Sequence, residues 1–252
     1  MTKIIPLILT IPVICFFASC STEKEDFQTD KVTDYVPKVG KSITYRLDST
    51  VFLASGTKIE VHSYLERHKI ISEGTDNLGQ KIYTVQRELN NVNGTGSWVN
   101  NGNYRITNAN GRIETIDNDL RVMSLQMPMK LNFSWKGNSY LPQSPYQKLF
   151  DMTTDAAMNQ WEFTYTNFGD TTINGSSYQN VWTIVQNDEV QNIPPEPNSV
   201  YGHKDVSVEK YAKGIGLIYK DFQLYEYQGG SSEMPTPYYV GFGVTMWIVD
   251  HN

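Results

Sequence analysis

From residue 39 onward, apolar and polar side chains alternate with a period of two over many short segments. The alternation is strict in residues 43–48, and residues 131–136 and 161–166 repeat it. Further segments of this kind cover residues 59–71, 81–89, 104–107, 112–116, 181–186, 215–227 and 239–249. Valine, isoleucine, threonine and aromatic residues are frequent in them, and these side chains pack well on a pleated surface. The pattern predicts half-buried β-strands.

Turn signals separate these segments, and helix signals are scarce. Asn-Gly pairs at residues 110–111 and 174–175 are typical of tight turns. The best helix signal lies in residues 144–160, where Pro145 suits a first helical turn. We therefore expect a single, mainly antiparallel all-β domain over residues 39–252. Its sheet is predicted to be twisted and folded as a sandwich or an open half-barrel, with one or two short helices.

The N-terminus has the features of a processing signal rather than of a structural element. Lys3 precedes an apolar run at residues 4–17, which contains Pro6 and Pro12. As a helix this run would span about 21 Å, which is short of the roughly 30 Å hydrocarbon core of a bilayer. That length is typical of the hydrophobic region of a signal peptide, so residues 1–19 are predicted to be removed.

The apolar run ends in Phe17, Ala18, Ser19 and Cys20, a sequence that resembles the lipobox of bacterial lipoproteins, with phenylalanine where leucine is usual. The resemblance implies cleavage before Cys20 and acylation of both its thiol and the new N-terminus. Two acyl signals suffice for stable anchoring without a membrane span. An ordinary secretory signal with an incidental cysteine is the alternative.

Residues 20–38 show little periodicity and are predicted to form a flexible tether. Within them, Lys24 is followed by Glu25 and Asp26, which resembles the surface-export signal of Bacteroidota lipoproteins. The resemblance implies an outer-membrane lipoprotein that faces the cell surface. A periplasm-facing orientation is the alternative.

Composition and charge narrow the classes of function. The chain has 252 residues and a formal net charge of −6, which argues against the basic surface that nucleic-acid binding needs. Hydrophobic residues make up 39% of the chain, enough for a packed core. Of the two cysteines, Cys15 lies in the predicted signal peptide, so Cys20 is left without a partner for an intramolecular disulfide.

Three segments resemble a group of uncharacterised Bacteroidota lipoproteins. Residues 40–49 carry the pattern Gly-x-x-apolar-x-Tyr-x-x-Asp-Ser, and residues 173–181 and 211–218 each lead into a predicted strand. The resemblance covers most of the mature chain and implies an all-β exported domain. It brings no substrate and no catalytic residue with it.

No local spacing predicts a metal site, a cofactor or a catalytic residue. His62 and His68 share a face of one predicted strand but lie roughly 20 Å apart, which is too far for one metal ion. His203 and His251 are expected in loop or terminal positions. Glycoside hydrolysis needs two carboxylates close together. The available ones are expected on solvent-exposed faces of strands, and they are Glu60, Glu66, Glu162, Asp170 and Glu189.

Tyrosines provide the best candidate for a ligand-binding surface. Tyr219, Tyr225 and Tyr227 share parity along one segment, whereas Ile218 and Leu224 take the opposite parity and are expected to face the core. A row of exposed tyrosines forms an apolar platform with hydrogen-bonding tips, which suits sugars or peptides. Burial of both faces between sheets is the alternative.

Together these features favour a non-catalytic binding or structural lipoprotein of the cell envelope. Its expected partners are the membrane, through the lipid anchor, and a glycan, peptide or lipid ligand. A surface hydrolase acting on glycans is the alternative, because catalytic groups can converge from distant strands without leaving a local motif.

Overall fold

The computed structural model describes residues 30–153, 156–232 and 235–252, which form twelve β-strands and two short 3-10 helices. The strands are β1 (Ser42–Leu53), β2 (Lys58–Thr75), β3 (Lys81–Asn91), β4 (Val99–Asn108), β5 (Arg112–Asp117), β6 (Leu120–Gln126), β7 (Ser134–Trp135), β8 (Phe163–Ile173), β9 (Ser176–Gln191), β10 (Tyr201–Ala212), β11 (Gly216–Gln228) and β12 (Tyr238–His251). The 3-10 helices are Val32–Tyr35 and Met158–Gln160. The described ranges contain no α-helix, so the predicted all-β fold is confirmed.

All twelve strands belong to one antiparallel sheet with the order β6-β5-β4-β3-β2-β1-β12-β11-β10-β9-β8-β7. The first and last strands, β1 and β12, pair in the middle of the sheet. The two edge strands, β6 and β7, follow each other in the sequence. Among the described residues, no helix has the length and apolar character needed to cross a membrane.

This order forces the sheet to curl. Laid flat, the two edges of a twelve-stranded sheet would stand roughly 50 Å apart at about 4.8 Å per strand. The chain between them, residues 127–133, reaches at most about 30 Å. The edges must therefore approach each other, and the sheet becomes nearly closed and barrel-like.

Hydrogen bonds join the two edges directly, and we call this contact the seam. The backbone N–H of Met123 in β6 donates to the carbonyl of Gly137 at 2.8 Å, and the indole Nε1 of Trp135 donates to the carbonyl of Met123 at 2.8 Å. The hydroxyl of Tyr165 accepts from the N–H of Gln126 at 3.1 Å and donates to its carbonyl at 3.0 Å.

The core lies on the inner face of the curled sheet. As the parity within β11 predicts, Ile218 and Leu224 are buried there. Other large side chains that are almost completely buried are Tyr35, Tyr45, Ile70, Leu125, Phe163, Tyr165, Ile184 and Ile248. Apart from Tyr35, they come from both halves of the sheet, so both halves contribute to the core.

The last part of the predicted tether packs against this domain. Val32 and Tyr35 of the first 3-10 helix are buried, and the Tyr35 hydroxyl donates to Asp30 at 2.7 Å. Lys213, which precedes β11, pairs with Asp30 at 2.6 Å. Val32 and Tyr35 thus join this part of the predicted tether to the core of the sheet. Residues 20–29 lie outside the described residues.

The predicted helical stretch is different in the structure. Residues 144–153 form turns and bends, and of the described residues 156–160 only Met158–Gln160 is helical. Asp151 and Ala157 have left-handed backbone angles, with φ of 52° and 44°, and such residues interrupt a right-handed helix.

Two strands are not predicted by the alternation, and one predicted strand is shorter than expected. β10 escapes the pattern because its inner face is lined mainly by polar side chains, and β6 because three consecutive residues in it are buried. Of the predicted strand at residues 131–136, only Ser134–Trp135 forms a strand. The two preceding residues, Asn132 and Phe133, also bond to the backbone of Tyr165 in β8, at 2.8 and 3.1 Å, but they lie in a turn that begins at Lys130.

Candidate functional site

A group of aromatic rings lies on the outer face of the sheet where β1, β11 and β12 run side by side. It consists of Phe52, Tyr225, Tyr227 and Tyr239, whose side chains are all half-buried. Phe52 stacks on Tyr239 with ring centroids 5.4 Å apart, and Tyr225 meets Phe52 edge-on at 5.4 Å. Tyr227 packs against Tyr239 at 5.3 Å. We call these four residues the outer aromatic cluster.

A glycine in the neighbouring strand allows these rings to meet. Gly241 of β12 pairs with Tyr225, has a φ of 108°, and a Cβ on it would lie 2.9 Å from the Cβ of Tyr225. With no side chain in the way, the Tyr225 ring lies 6.2 Å from that of Tyr239. Burial raises the pKa of both tyrosines, so their hydroxyls stay protonated and can donate hydrogen bonds at neutral pH.

Tyr219 shares this face but lies apart from the cluster. It is six residues from Tyr225, roughly 20 Å along the strand, and its ring faces the ammonium of Lys210 at 5.6 Å. The structure thus brings together two of the three tyrosines singled out in the sequence, Tyr225 and Tyr227. The sequence alone could not assign Phe52 and Tyr239 to this cluster, because only the fold places β12 beside β11 and β1 beside β12.

Polar and charged side chains occupy part of the inner face. The carboxylate of Glu209 in β10 accepts a hydrogen bond from the Tyr211 hydroxyl at 2.7 Å and pairs with Lys220 Nζ at 3.1 Å. Burial alone would lower the pKa of Lys220, but the nearby carboxylate outweighs this and raises it. Lys220 and Glu209 therefore form a charged pair inside the curled sheet.

The other half of the sheet contributes a second polar group. His68 lies between Glu66, 2.8 Å from its Nε2, and the Tyr104 hydroxyl, 3.1 Å from its Nδ1. The Tyr45 ring meets the imidazole edge-on at 4.9 Å. Glu66 is only 6% exposed, so the expectation that it lies on a solvent face is wrong. The curl of the sheet turns its side of β2 inward.

The two groups face each other across the interior. Burial is the main cause of the raised pKa of Tyr104, and the negative charges of Glu66 and Glu209 add to it. On a flat sheet Glu209 and Tyr104 would be roughly 30 Å apart, because five strands separate β4 and β10. We call the facing residues the inner polar network, and they are Tyr45, Glu66, His68, Tyr104, Glu209, Tyr211 and Lys220.

Part of this interior is accessible to solvent. The side chain of Lys220 is 34% accessible. Near it, Asp117 is 35% accessible and accepts two hydrogen bonds from Arg87 at 2.8 and 3.0 Å. Two charged pairs, Glu209 with Lys220 and Asp117 with Arg87, thus lie in this part of the interior, an arrangement that suits the binding of a polar molecule better than nucleophilic attack.

A cleft of about 600 Å³ opens along β8 and β9. Its lining includes Lys136, Trp161, Glu162, Gln186, Asp188 and Glu189. It is separate from the outer aromatic cluster, and its lining combines apolar, polar and acidic groups.

Glu189, at the rim of this cleft, also belongs to a possible metal-ligand group with His203 and Asp205. The ligand atoms of these three residues all lie within 4.8 Å of one another. Burial raises the pKa of Asp205 to about 6; the charge of His203 opposes this shift, and those of Glu189 and Glu226 add to it. His203 lies within β10, so its predicted loop position is wrong.

The remaining candidates from the sequence are not brought together. His62 pairs with Glu60 at 2.9 Å, whereas His68 pairs with Glu66, so the two histidines of β2 have different partners. His251 is the last residue of β12. Cys20 and the predicted signal peptide lie outside the described residues.

Comparison with protein families and with curated proteins finds no match to this chain. Among solved structures, the chain is similar to a candidate lipoprotein from Parabacteroides distasonis, with 10% identity, coverage of 87% of this chain and 98% of that one, and a TM-score of 0.43. It is also similar to a DUF1329 family protein from Desulfovibrio piger, with 9% identity, coverage of 85% and 86%, and a TM-score of 0.19. Likeness this distant carries no functional argument.

Proposed function

We propose that this protein is a lipoprotein of the cell envelope that binds a glycan on its outer aromatic cluster without cleaving it. The observation that carries the proposal is the assembly of four half-buried rings from three adjacent strands, with centroids between 5.3 and 6.2 Å apart. Such rings offer an apolar face to the C–H groups of a sugar, and tyrosine hydroxyls can bond its hydroxyls. A lipid is a weaker fit, because three of the four rings carry a polar tip.

The anchor is proposed from the N-terminal sequence. The short apolar run and the small residues before Cys20 support acylation at that cysteine, and the acidic residues after Lys24 support an outer-membrane position facing the cell surface. In cells given a labelled fatty acid, we expect the wild-type protein to carry label and to fractionate with the outer membrane. Cys20→Ala should lose both properties. Membrane attachment and label that survive the substitution would exclude this anchor.

Binding is tested by thermal-shift measurements of the soluble chain against panels of glycans, peptides and lipids, since a bound ligand raises the unfolding midpoint by mass action. For a glycan hit, we expect Tyr227→Ala to abolish most of the shift. Tyr219→Ala is the matched control, because it removes the same ring from the same strand and face outside the cluster. A shift that both variants retain would place the ligand elsewhere, and hits confined to peptides or lipids would overturn the choice of a glycan.

One observation favours the hydrolase as a second candidate. Glu66 and Glu209 lie in one solvent-reachable interior, and the charges of both raise the pKa of Tyr104, which burial already raises. If a glycan hit is hydrolysed, we expect Glu209→Gln to abolish product formation while Tyr227→Ala does not. Turnover of this kind would replace the non-catalytic proposal.

A further inference from the structure

A metal-ligand group is built into two neighbouring strands, β9 and β10, on the face of the sheet opposite to the outer aromatic cluster. Glu189 of β9 pairs directly with Asp205 of β10, and His203 precedes Asp205 by two residues on the same face. Cross-strand partners and residues two apart project to the same side of a sheet. The register therefore explains why their ligand atoms all lie within 4.8 Å of one another.

The imidazole of His203 has one nitrogen whose hydrogen-bonding capacity is not satisfied. Its Nε2 is buried and has no hydrogen-bond partner, and the nearest carboxylate oxygen, Oε1 of Glu189, is 3.5 Å away. The Tyr201 ring packs beside it, with centroids 5.7 Å apart. A buried polar nitrogen without a partner is costly, and a metal ion between the imidazole and the carboxylates would satisfy it.

The charges around this nitrogen favour a cation. Asp205 is 8% exposed, and in the described part of the chain no lysine or arginine forms an ion pair with it or with Glu189. A third carboxylate, Glu226, pairs across from His203 and is held by the N–H and the hydroxyl of Thr153, at 2.9 and 2.6 Å. Three carboxylates thus surround one imidazole.

We propose that Glu189, His203 and Asp205 bind one divalent transition-metal ion, with Zn²⁺ as the best fit. One imidazole nitrogen with two carboxylate oxygens is a set that zinc accepts in tetrahedral sites, whereas calcium takes six to eight oxygens. Zinc ligands at about 2.0–2.2 Å from the metal lie roughly 3.3 Å apart. Glu189 has 66% of its side chain exposed and can close the remaining distance.

The fourth coordination position would face the solvent on the Glu189 side. That residue also lines the cleft of about 600 Å³ along β8 and β9. A bound ion would therefore stand at the rim of this cleft, where water or an anionic ligand can reach it. The proposed metal site shares no residue with the outer aromatic cluster, so a test of zinc binding does not depend on whether the cluster binds a glycan.

Isothermal titration of the full-length, chelator-treated protein with ZnCl₂ tests the site. We expect one ion per chain for the wild-type protein and at least a tenfold loss of affinity in His203→Ala. His62→Ala is the matched control, because His62 also pairs with a glutamate, Glu60, but without a third ligand. It should bind as the wild type does.

A second pair of variants keeps the test informative if His203→Ala fails to fold. Glu189→Gln changes an exposed side chain and should fold normally, yet lose at least tenfold in zinc affinity. Asp188→Asn, its neighbour in β9, should not. Absence of stoichiometric binding by the wild-type protein, or wild-type affinity in Glu189→Gln, would overturn the proposal.

Discussion

Glu114 is a fully buried carboxylate held between two arginines. It is 0% exposed, and it accepts hydrogen bonds from Arg112 Nε at 2.6 Å and Arg121 Nε at 2.8 Å. The guanidinium side chains remain 35% and 40% exposed. A buried charge is tolerated only with such partners, so this one side chain ties β5 to β6 at the edge of the sheet.

Glu114→Gln should lower the free energy of unfolding by about 1.5–3 kcal/mol, the usual worth of hydrogen bonds to a charged group. The amide keeps one acceptor but turns an N–H₂ group toward a guanidinium. Urea unfolding followed by tryptophan fluorescence measures the change. The control is Glu73→Gln, whose partner Lys81 is largely exposed and which should leave the midpoint unchanged. Equal effects of the two substitutions would contradict this account.

At the scale of elements, the close pairing of β12 with β11 requires the glycine at position 241. A Cβ on Gly241 would lie 2.3 Å from the carbonyl oxygen of Leu224 and 2.6 Å from the Cα of Tyr225. These are backbone atoms of β11 and cannot move aside without disturbing the pairing. The close approach of β12 to β11 and the outer aromatic cluster therefore depend on the same residue.

Gly241→Ala should destabilise the protein by about 2–4 kcal/mol, because overpacking adds to backbone strain at a positive φ. It should also weaken any ligand binding that depends on Tyr227 and Tyr239. Gly74→Ala is the matched control in β2, where an added Cβ meets nothing within 4 Å. Thermal unfolding of both variants gives the comparison, and similar midpoints would show that β12 can shift without cost.

At the scale of the whole molecule, the seam between the edges closes the sheet. Tyr165 makes both of its hydrogen bonds there, to the N–H and to the carbonyl of Gln126. Burial raises the pKa of its hydroxyl, which remains a donor at neutral pH. Because this single hydroxyl bridges β8 to β6, it probes closure of the sheet without altering the packing of the ring.

Tyr165→Phe should cost about 1–3 kcal/mol, since it leaves backbone groups of Gln126 without their partner. Hydrogen exchange at the Gln126 amide should accelerate, while exchange in the central strands stays slow. Tyr178→Phe, which removes a hydroxyl of β9 far from the seam, should change neither. Unchanged exchange at Gln126 in Tyr165→Phe would mean that other contacts keep the edges together.

The strands were predictable because their information is local. In residues 43–48 of β1 and 163–166 of β8 apolar and polar side chains alternate strictly, and alternation is a property of neighbouring residues that no distant contact is needed to produce. The signal peptide at residues 1–19 also rests on local features, the length of an apolar run and the residues next to Cys20, and it stays a prediction. The all-β class and the scarcity of helix therefore followed from the sequence alone.

The sites depend on the closure of the sheet, which the alternation does not encode. Phe52 reaches Tyr239 only because the first strand, β1, pairs with the last strand, β12. β10 does not show the alternation of a half-buried strand, because its inner face carries the polar residues His203, Asp205 and Glu209. The inner face of a curled sheet can be polar where solvent has access to it. Local pattern thus determined which residues form strands, and tertiary structure alone decided which side chains meet, since these contacts join segments far apart in the sequence.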